Sequence, residues 1–357
     1  MNLQSWIWII LNIVFAFSLF RCSSDKTGQK LRLLNSFKLI FQQEVTLTVD
    51  SSHFWNTETV ILQRDKRGSF FGYDFYAKSL YYFDSTGVFL KSFSPKRDSL
   101  GRSYHRLTDF IIDQSGNIVL YDNEAGVGVV IDTLHGDICN LFPSESTRWF
   151  YLAQFQSGNY LFCNSIQNSS LPILYAYSKS GNLFWSKGRS EPELYSRNNP
   201  LFTFGKCVAL DTAYNIFTVH PALYKVQCYN PSGEKLFIFS NQTDRWHQMP
   251  HQPIEQDSIN WSGQISAIQL LATTRLFVLV FPINFIDGKP FEQWIDIYDF
   301  SGNYLSTIEL PMDKRPLFVD MDNNIWFLRR NSLNQQNMEN RTLHIEGWRL
   351  TENSIRN

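Results

Sequence analysis

The chain lacks most of what marks a chemistry in advance. It has no surplus of positive charge: 32 Lys and Arg stand against 33 Asp and Glu, a formal −1. A nucleic-acid surface or a polybasic membrane patch needs clustered cations, so neither is expected. There is no Gly-x-Ser-x-Gly elbow, no His-Glu-x-x-His pair and no Walker-type glycine loop. The nucleophilic, zinc and nucleotide chemistries that such motifs announce are therefore not signalled. Its 5 cysteines form no Cys-x-x-Cys. The pair His247 and His251 is split by Pro250, which forbids the helix that would aim both at one ion, and no third ligand is placed by spacing. No metal site is assigned.

Long apolar runs are also scarce. The longest, "WIWIILNIVFAFSLF" (Trp6–Phe20), has 15 residues. A spanning helix needs roughly 20, whereas a secretory signal core is about this length. The run stops at "RCSSDK", where Cys22 is followed by small and polar residues. This resembles a bacterial lipoprotein signal, which implies cleavage before Cys22 and its acylation. Arg21 stands where that signal has a small residue, so simple secretion and an uncleaved anchor remain as alternatives. The expected organisation is a signal at 1–21, a linker at 22–36 and one folded domain over 37–357.

What the chain has is aromatic and strand-forming. Hydrophobic residues make up 43% and aromatics 16%, with 30 Phe and 16 Tyr. That suits a large core built from strands. Cys139, Cys163, Cys207 and Cys228 all lie in apolar, strand-like runs and read as buried thiols.

A weak internal repeat carries the fold. Asp113-x-x-Gly116 is followed six residues on by Asp122. The same spacing recurs at Asp65, Gly68 and Asp74, at Asp211, Tyr214 and His220, and at Asp320, Asn323 and Arg329. Degenerate copies centre on Gly158 and Arg275. Each copy reads as strand, two-residue turn, strand, with Gly or Asn supplying positive φ. A second turn follows, as in "FDSTG", "YSKSG", "YNPSG" and "YDFSG". One unit is thus four antiparallel strands. The units fall at roughly 58–94, 106–143, 148–188, 205–240 and 263–311, with a sixth from near 316. The sixth has three strands, and "FKLIFQQEVTLTV" (Phe37–Val49) is the candidate fourth. The expectation is an all-β, six-bladed β-propeller whose last blade is closed by an N-terminal strand.

The cadence "D-x-x-G-N-I-x-x-x-D … Y-D-x-x-G" resembles NHL-type repeats. Over 38–350 the chain is similar to the six-bladed propeller lipoproteins of bacteria. That resemblance implies a fold and a cell-envelope location, and says little about activity, because such propellers serve as scaffolds, binding proteins and occasional enzymes.

Alternating strand direction sorts the connections onto two faces. The first and third turns of each unit are tight and share one face. The other face holds long segments: 95–105, 189–204 and 241–262 between units, 282–291 and 331–340 within them. Long loops on a rigid scaffold are the usual place for a site. The residues ending the second strands, Asp74, Asp122, Asn164, His220, Phe281 and Arg329, point to that face. The bland alternative is that such an Asp caps its own loop. Trp246 and Trp261 bracket the longest loop; they would stack on a sugar or peptide, or pin the loop to the blades. Two functional classes follow. One is a non-catalytic binding or scaffold protein of the envelope, membrane-anchored, taking an envelope protein, a peptide or a small polar ligand. The other is a metal-dependent, lactonase-like hydrolase or lyase, holding a divalent cation such as calcium at the axis through Asp74, Asp122, Asn164 and His220.

Overall fold

The structure is a computed structural model. The described residues lie between Ser36 and Asn353, with interruptions at 54, 56–59, 75–78, 94–106, 123–125, 135–137, 144–149, 165–171, 189–207, 212, 221–222, 241–244, 246–259, 265–268, 273–275, 287–288, 321 and 330–340.

Strand β1 (Ser36–Thr48) comes first and belongs to the last blade. Blade 1 is β2 (Ile61–Arg64), β3 (Phe70–Asp74), β4 (Ser79–Phe83) and β5 (Phe89–Phe93). Blade 2 is β6 (Leu107–Ile112), β7 (Ile118–Asp122), β8 (Val127–Ile131) and β9 (Ile138–Pro143). Blade 3 is β10 (Phe150–Gln154), β11 (Tyr160–Asn164), β12 (Leu174–Tyr177) and β13 (Leu183–Lys187). Blade 4 is β14 (Val208–Leu210), β15 (Ile216–His220), β16 (Leu223–Tyr229) and β17 (Lys235–Phe239). Blade 5 contains β18 (Asn260–Gln264), β19 (Gln269–Ala272), β20 (Leu276–Val280), β21 (Pro282–Ile286), β22 (Lys289–Tyr298) and β23 (Tyr304–Leu310). Blade 6 is β24 (Lys314–Val319), β25 (Asn324–Arg329) and β26 (Thr342–Asn353), completed by β1. All pairings are antiparallel between neighbours in the sheet, and no helix occurs among the described residues.

The closure expected from the sequence is present. Ser36 pairs with Asn353 and Thr48 with Thr342, so β1 runs along β26 for its whole length. The core confirms the ring. Four-stranded sheets with two apolar faces are covered only by their neighbours. Accordingly, one apolar cluster joins blades 1 and 2 through Phe71, Leu80, Phe110 and Leu120. Others join blade 2 to 3, blade 3 to 4 and 5, blade 5 to 6, and blade 6 back to 1. Cys163 and Cys228 are buried in the third of these seams and form no disulfide. The side chain of Cys139, and Cys207 altogether, lie outside the described residues.

The tight turns differ in one detail from the two-residue reading. Gly116 N–H donates to Asp113 O (3.0 Å) and Asp113 N–H to Asn117 O (2.8 Å). Positive φ occurs only at the third residue, Gly116 (φ 86°). This is a β-turn followed by one left-handed residue, the three-residue hairpin loop. The Asp that opens it is the reason it recurs. Asp113 Oδ1 accepts Ser115 N–H and Asn117 N–H, both at 2.8 Å. Asp65, Asp84, Asp299 and Asp320 each do the same two and four residues on. Tyr214 (φ 62°) and Asn323 (φ 63°) take the left-handed position where the repeat has lost its glycine.

Candidate binding face

The long-loop face is where the repeat stops repeating. Asp74 and Asp122 end β3 and β7, and both are fully buried (0% exposed). Each lies at the base of its own hairpin, opposite Ser79 and Val127. The Asp122 carbonyl accepts Gly126 N–H at 2.8 Å, which turns the chain back. Burial pushes the Tyr81 hydroxyl above its usual range, and the nearby Asp74 charge adds to this. Asn164 is buried too, and its N–H donates to Ile173 O at 2.7 Å. His220 ends β15 opposite Leu223. Its side chain, that of Trp261 in β18, and all of Trp246, His247 and His251 lie outside the described residues.

Blades 5 and 6 behave differently. The segment 282–291 was expected as a loop and is instead a hairpin. Phe281 (2% exposed) is apolar where Asp74 and Asp122 are not, and the second strand runs on through it into β21. β22 returns and pairs first with β21 and then with β20. β18, drawn from the end of the longest link, adds to the outside of β21. The alternating "PINFI" and "KPFEQW" supply the strand-forming residues. The result is a three-stranded extension of blade 5 on this face.

Arg245, in the same link, is clamped to that extension. Its guanidinium meets Glu309 at 2.7 Å and Glu292 at 3.7 Å, and its carbonyl accepts Asn284 Nδ2 at 3.1 Å. The bond to Glu309 raises its pKa further. Beneath it lies Asp296, fully buried on β22. Trp294 Nε1 donates to it at 2.8 Å, and the hydroxyls of Tyr224 (blade 4) and Thr307 also donate. Tyr224 in turn contacts the Tyr298 hydroxyl. Burial raises the pKa of Asp296; the three donors and the Arg245 charge only partly offset it.

On blade 6, Arg329 is exposed and lies opposite Lys314 of the innermost strand. Lys314 binds the Glu346 carboxylate and sits 4.3 Å from the centre of the Trp348 ring. Trp348 Nε1 donates to Glu346 at 2.9 Å. Burial opposes ionisation of Glu346, but these partners and the charge of Arg329 hold its pKa below the usual value. Between blades 5 and 6 a crevice lined by Phe281, Ile283, Trp294, Leu310, Arg315 and Pro316 has room for one water (about 10 Å³). Among the described residues no group of three or more His, Cys, Asp or Glu is arranged to hold a metal ion.

The chain is a six-bladed β-propeller. No family model matches it, and no curated protein does. Solved structures do. A member of the DUF4221 family from Bacteroides vulgatus superposes with a TM-score of 0.64 at 9% identity, covering 89% of this chain and 99% of that one. A presumptive exported protein from Bacteroides fragilis gives 0.55 at 12% identity, over 88% of this chain and 95% of the other. The virginiamycin B lyase of Staphylococcus aureus gives 0.50 at 13% identity, over 88% and 100%. At such identities the likeness carries the fold and not the activity.

The Arg245 clamp and the blade 5 extension carried no repeat signal. The alternation of "PINFI" is the one local clue, and it competes with the repeat, which places a 2–3 connection there.

Proposed function

We propose that this propeller is a non-catalytic binding or scaffold protein of the bacterial cell envelope, held at a membrane through its N-terminal segment and binding through the long-loop face. The observation that carries this reading is the contrast between the two ends of the ring. Eight of the nine described three-residue turns use the Asp, Asn or Ser side chain that opens them to satisfy their backbone, the turn at Phe155 being the exception, whereas the opposite face carries the blade 5 extension, the Arg245 clamp and the exposed Arg329. The presumptive exported neighbour is in keeping with an exported protein. Arg329, His220 and the indoles of Trp246 and Trp261 are the groups assigned to the ligand, a small polar or anionic molecule or a peptide loop of a partner. Asp74, Asp122 and Asn164 then shape the wall behind them, since all three are buried.

The test is a thermal-shift screen of acidic sugars, dicarboxylates and short peptides. Hits should disappear in the double variant His220→Ala, Arg329→Ala, whose ligand-free melting stays at the wild-type value. A hit that survives this variant and is lost by charge changes in the tight turns would place the site on the wrong face. The alternative, a metal-dependent hydrolase or lyase, would be favoured by a stoichiometric divalent cation in purified protein that is lost with His220→Ala. Cys22→Ser tests the anchor: release from the membrane fraction is expected if acylation holds the chain.

A further inference from the structure

The exposed large apolar side chains follow a pattern that the binding reading does not use. Among the described residues, all of them lie on the outermost strand of a blade or on the turn that feeds it. The most exposed in each blade are Val88, Leu134, Phe184, Leu236, Tyr304 and Phe41, one from each of the six blades. In blades 1 to 5 these residues sit in the tight turn or within three residues of its glycine. Phe41 sits at the equivalent level, because its neighbour Ile40 pairs with Arg349 and Arg349 pairs with Asn324, next to the Asp320 turn. Toward the far ends of the same strands most described apolar side chains are covered: Phe93, Phe239, Leu310 and Val45 are 9% exposed or less, with Ile238 (39%) the exception. Outermost position alone would expose both ends equally. Apart from Ile238, the exposed set among the described residues is therefore a collar at the tight-turn rim.

The chain enters the ring at that rim. Ser36 to Leu39 extend β1 past the turn level, pairing with Asn353 to Leu350. Only 13 residues lie between Cys22 and Ser36, a tether of about 50 Å at full extension. Exposed Lys66, Arg67, Lys179 and Lys235 lie in or beside the same turns, together with the partly exposed turn carboxylates Asp65, Asp84, Asp132 and Asp299 and the exposed Glu234 and Asp322, so the rim has no net positive charge and what it offers a lipid surface is apolar. We infer that the collar rests on a lipid bilayer, so that the tight-turn end of the propeller lies against the membrane and the long-loop face points away from it. This rests on the reading that the N-terminal segment anchors the chain. Scattered aromatic and aliphatic side chains entering the headgroup boundary bind weakly on their own and effectively once a tether holds them close.

The experiment uses the full acylated chain on vesicles of phosphatidylethanolamine and phosphatidylglycerol. Wild type is compared with the triple variant Phe41→Ser, Phe184→Ser, Leu236→Ser, both by flotation and by hydrogen exchange. Both chains should float, and both should melt alike in solution. Wild type should show slowed exchange at the starts of β5, β13 and β17, lost in the variant, with β18 and β21 of the blade 5 extension unchanged in both. If both chains float and those strands exchange alike, the collar does not touch lipid and the inference is overturned while anchoring stands. If the slowed region is the blade 5 extension, the orientation is reversed and the inference is equally wrong. Wild type that fails to float removes the anchoring reading and the inference with it.

Discussion

Compare the turn at Asp113 with the segment at Phe281. At Asp113 one carboxylate oxygen takes two backbone N–H groups, and the chain reverses in three residues. Among the described residues eight turns use this device or a close variant with Asn or Ser, and the strands between them end on cue. At Phe281 the repeat position at the end of a second strand is apolar, nothing polar stops the strand, and it runs on into β21. Small polar side chains that satisfy their own backbone terminate a strand; an apolar residue at the same place lets the sheet extend. The two ends of the propeller thus differ in kind. One is a set of self-contained turns that hold the ring, and the other is built on extensions that the ring tolerates. Changes at the first end should cost stability, and changes at the second should cost binding.

The largest effect tests the ring itself. Deleting Phe37–Val49 removes β1 with Val45, Leu47 and Val49, exposes the edge of β26 and uncovers their apolar neighbours in the seam to blade 1. The shortened chain is expected to aggregate or to lose its single cooperative transition in chemical denaturation. A soluble variant melting like wild type would remove the clasp from the account.

Next in size is the lock between the first and last blades on the tight-turn end. Arg64 binds Asp320 at 2.7 Å with both side chains largely buried. Its guanidinium also lies 5.4 Å from the ring centres of Phe70 and Trp326. Removing one partner of such a pair leaves the other charge buried, so Arg64→Ala should cost about 3 kcal/mol. Urea unfolding measures it directly, and a loss under about 1 kcal/mol would mean that the pair is solvated like a surface contact.

The legibility of the sequence follows the same division. The Asp-x-x-Gly turns were readable because their chemistry is local: the residue that satisfies the turn lies within four positions of it. The blade count and the β1 clasp followed from counting those turns. Asp74 and Asp122 were readable as strand ends, but not as fully buried, because burial is decided by the neighbouring blade. The β21–β22 hairpin and the Asp296 cluster depend on contacts between Tyr224 and Asp296, 72 residues apart, which no local pattern announces.

Asp296 gives a smaller effect with a defined sign. Its folded pKa is raised by burial above the ordinary value of 3.8. The folded state therefore holds a proton that the unfolded state has released. That contribution is fully present below the unfolded value and is lost as pH rises through the folded one. Asp296→Asn removes the titration while keeping the shape. The variant should gain on wild type as pH is raised from 4 towards 7, in urea titrations at fixed ionic strength. Parallel pH curves for the two proteins would show that Asp296 ionises freely in the fold.

The smallest effect sharpens the comparison most, because it pairs one residue from each end. Asp113→Ala removes the carboxylate that accepts two backbone N–H groups of a tight turn and the Tyr160 hydroxyl, which donates to it at 3.1 Å from blade 3. The expected cost is about 1–2 kcal/mol. Arg245→Ala removes the clamp on the longest link, but Arg245 is 43% exposed and Glu309 is 75% exposed. A pair in that setting contributes about 0.2–1 kcal/mol and weakens further with salt. Stability should therefore fall more at Asp113 than at Arg245, and raising the salt should shrink only the Arg245 difference. Binding at the long-loop face should show the reverse order, since Arg245 fixes the link beside β18 and β21 while Asp113 lies at the far end of the ring. If Arg245→Ala proves the costlier of the two for stability, the long link is part of the ring's framework, and the division between a structural end and a binding end fails.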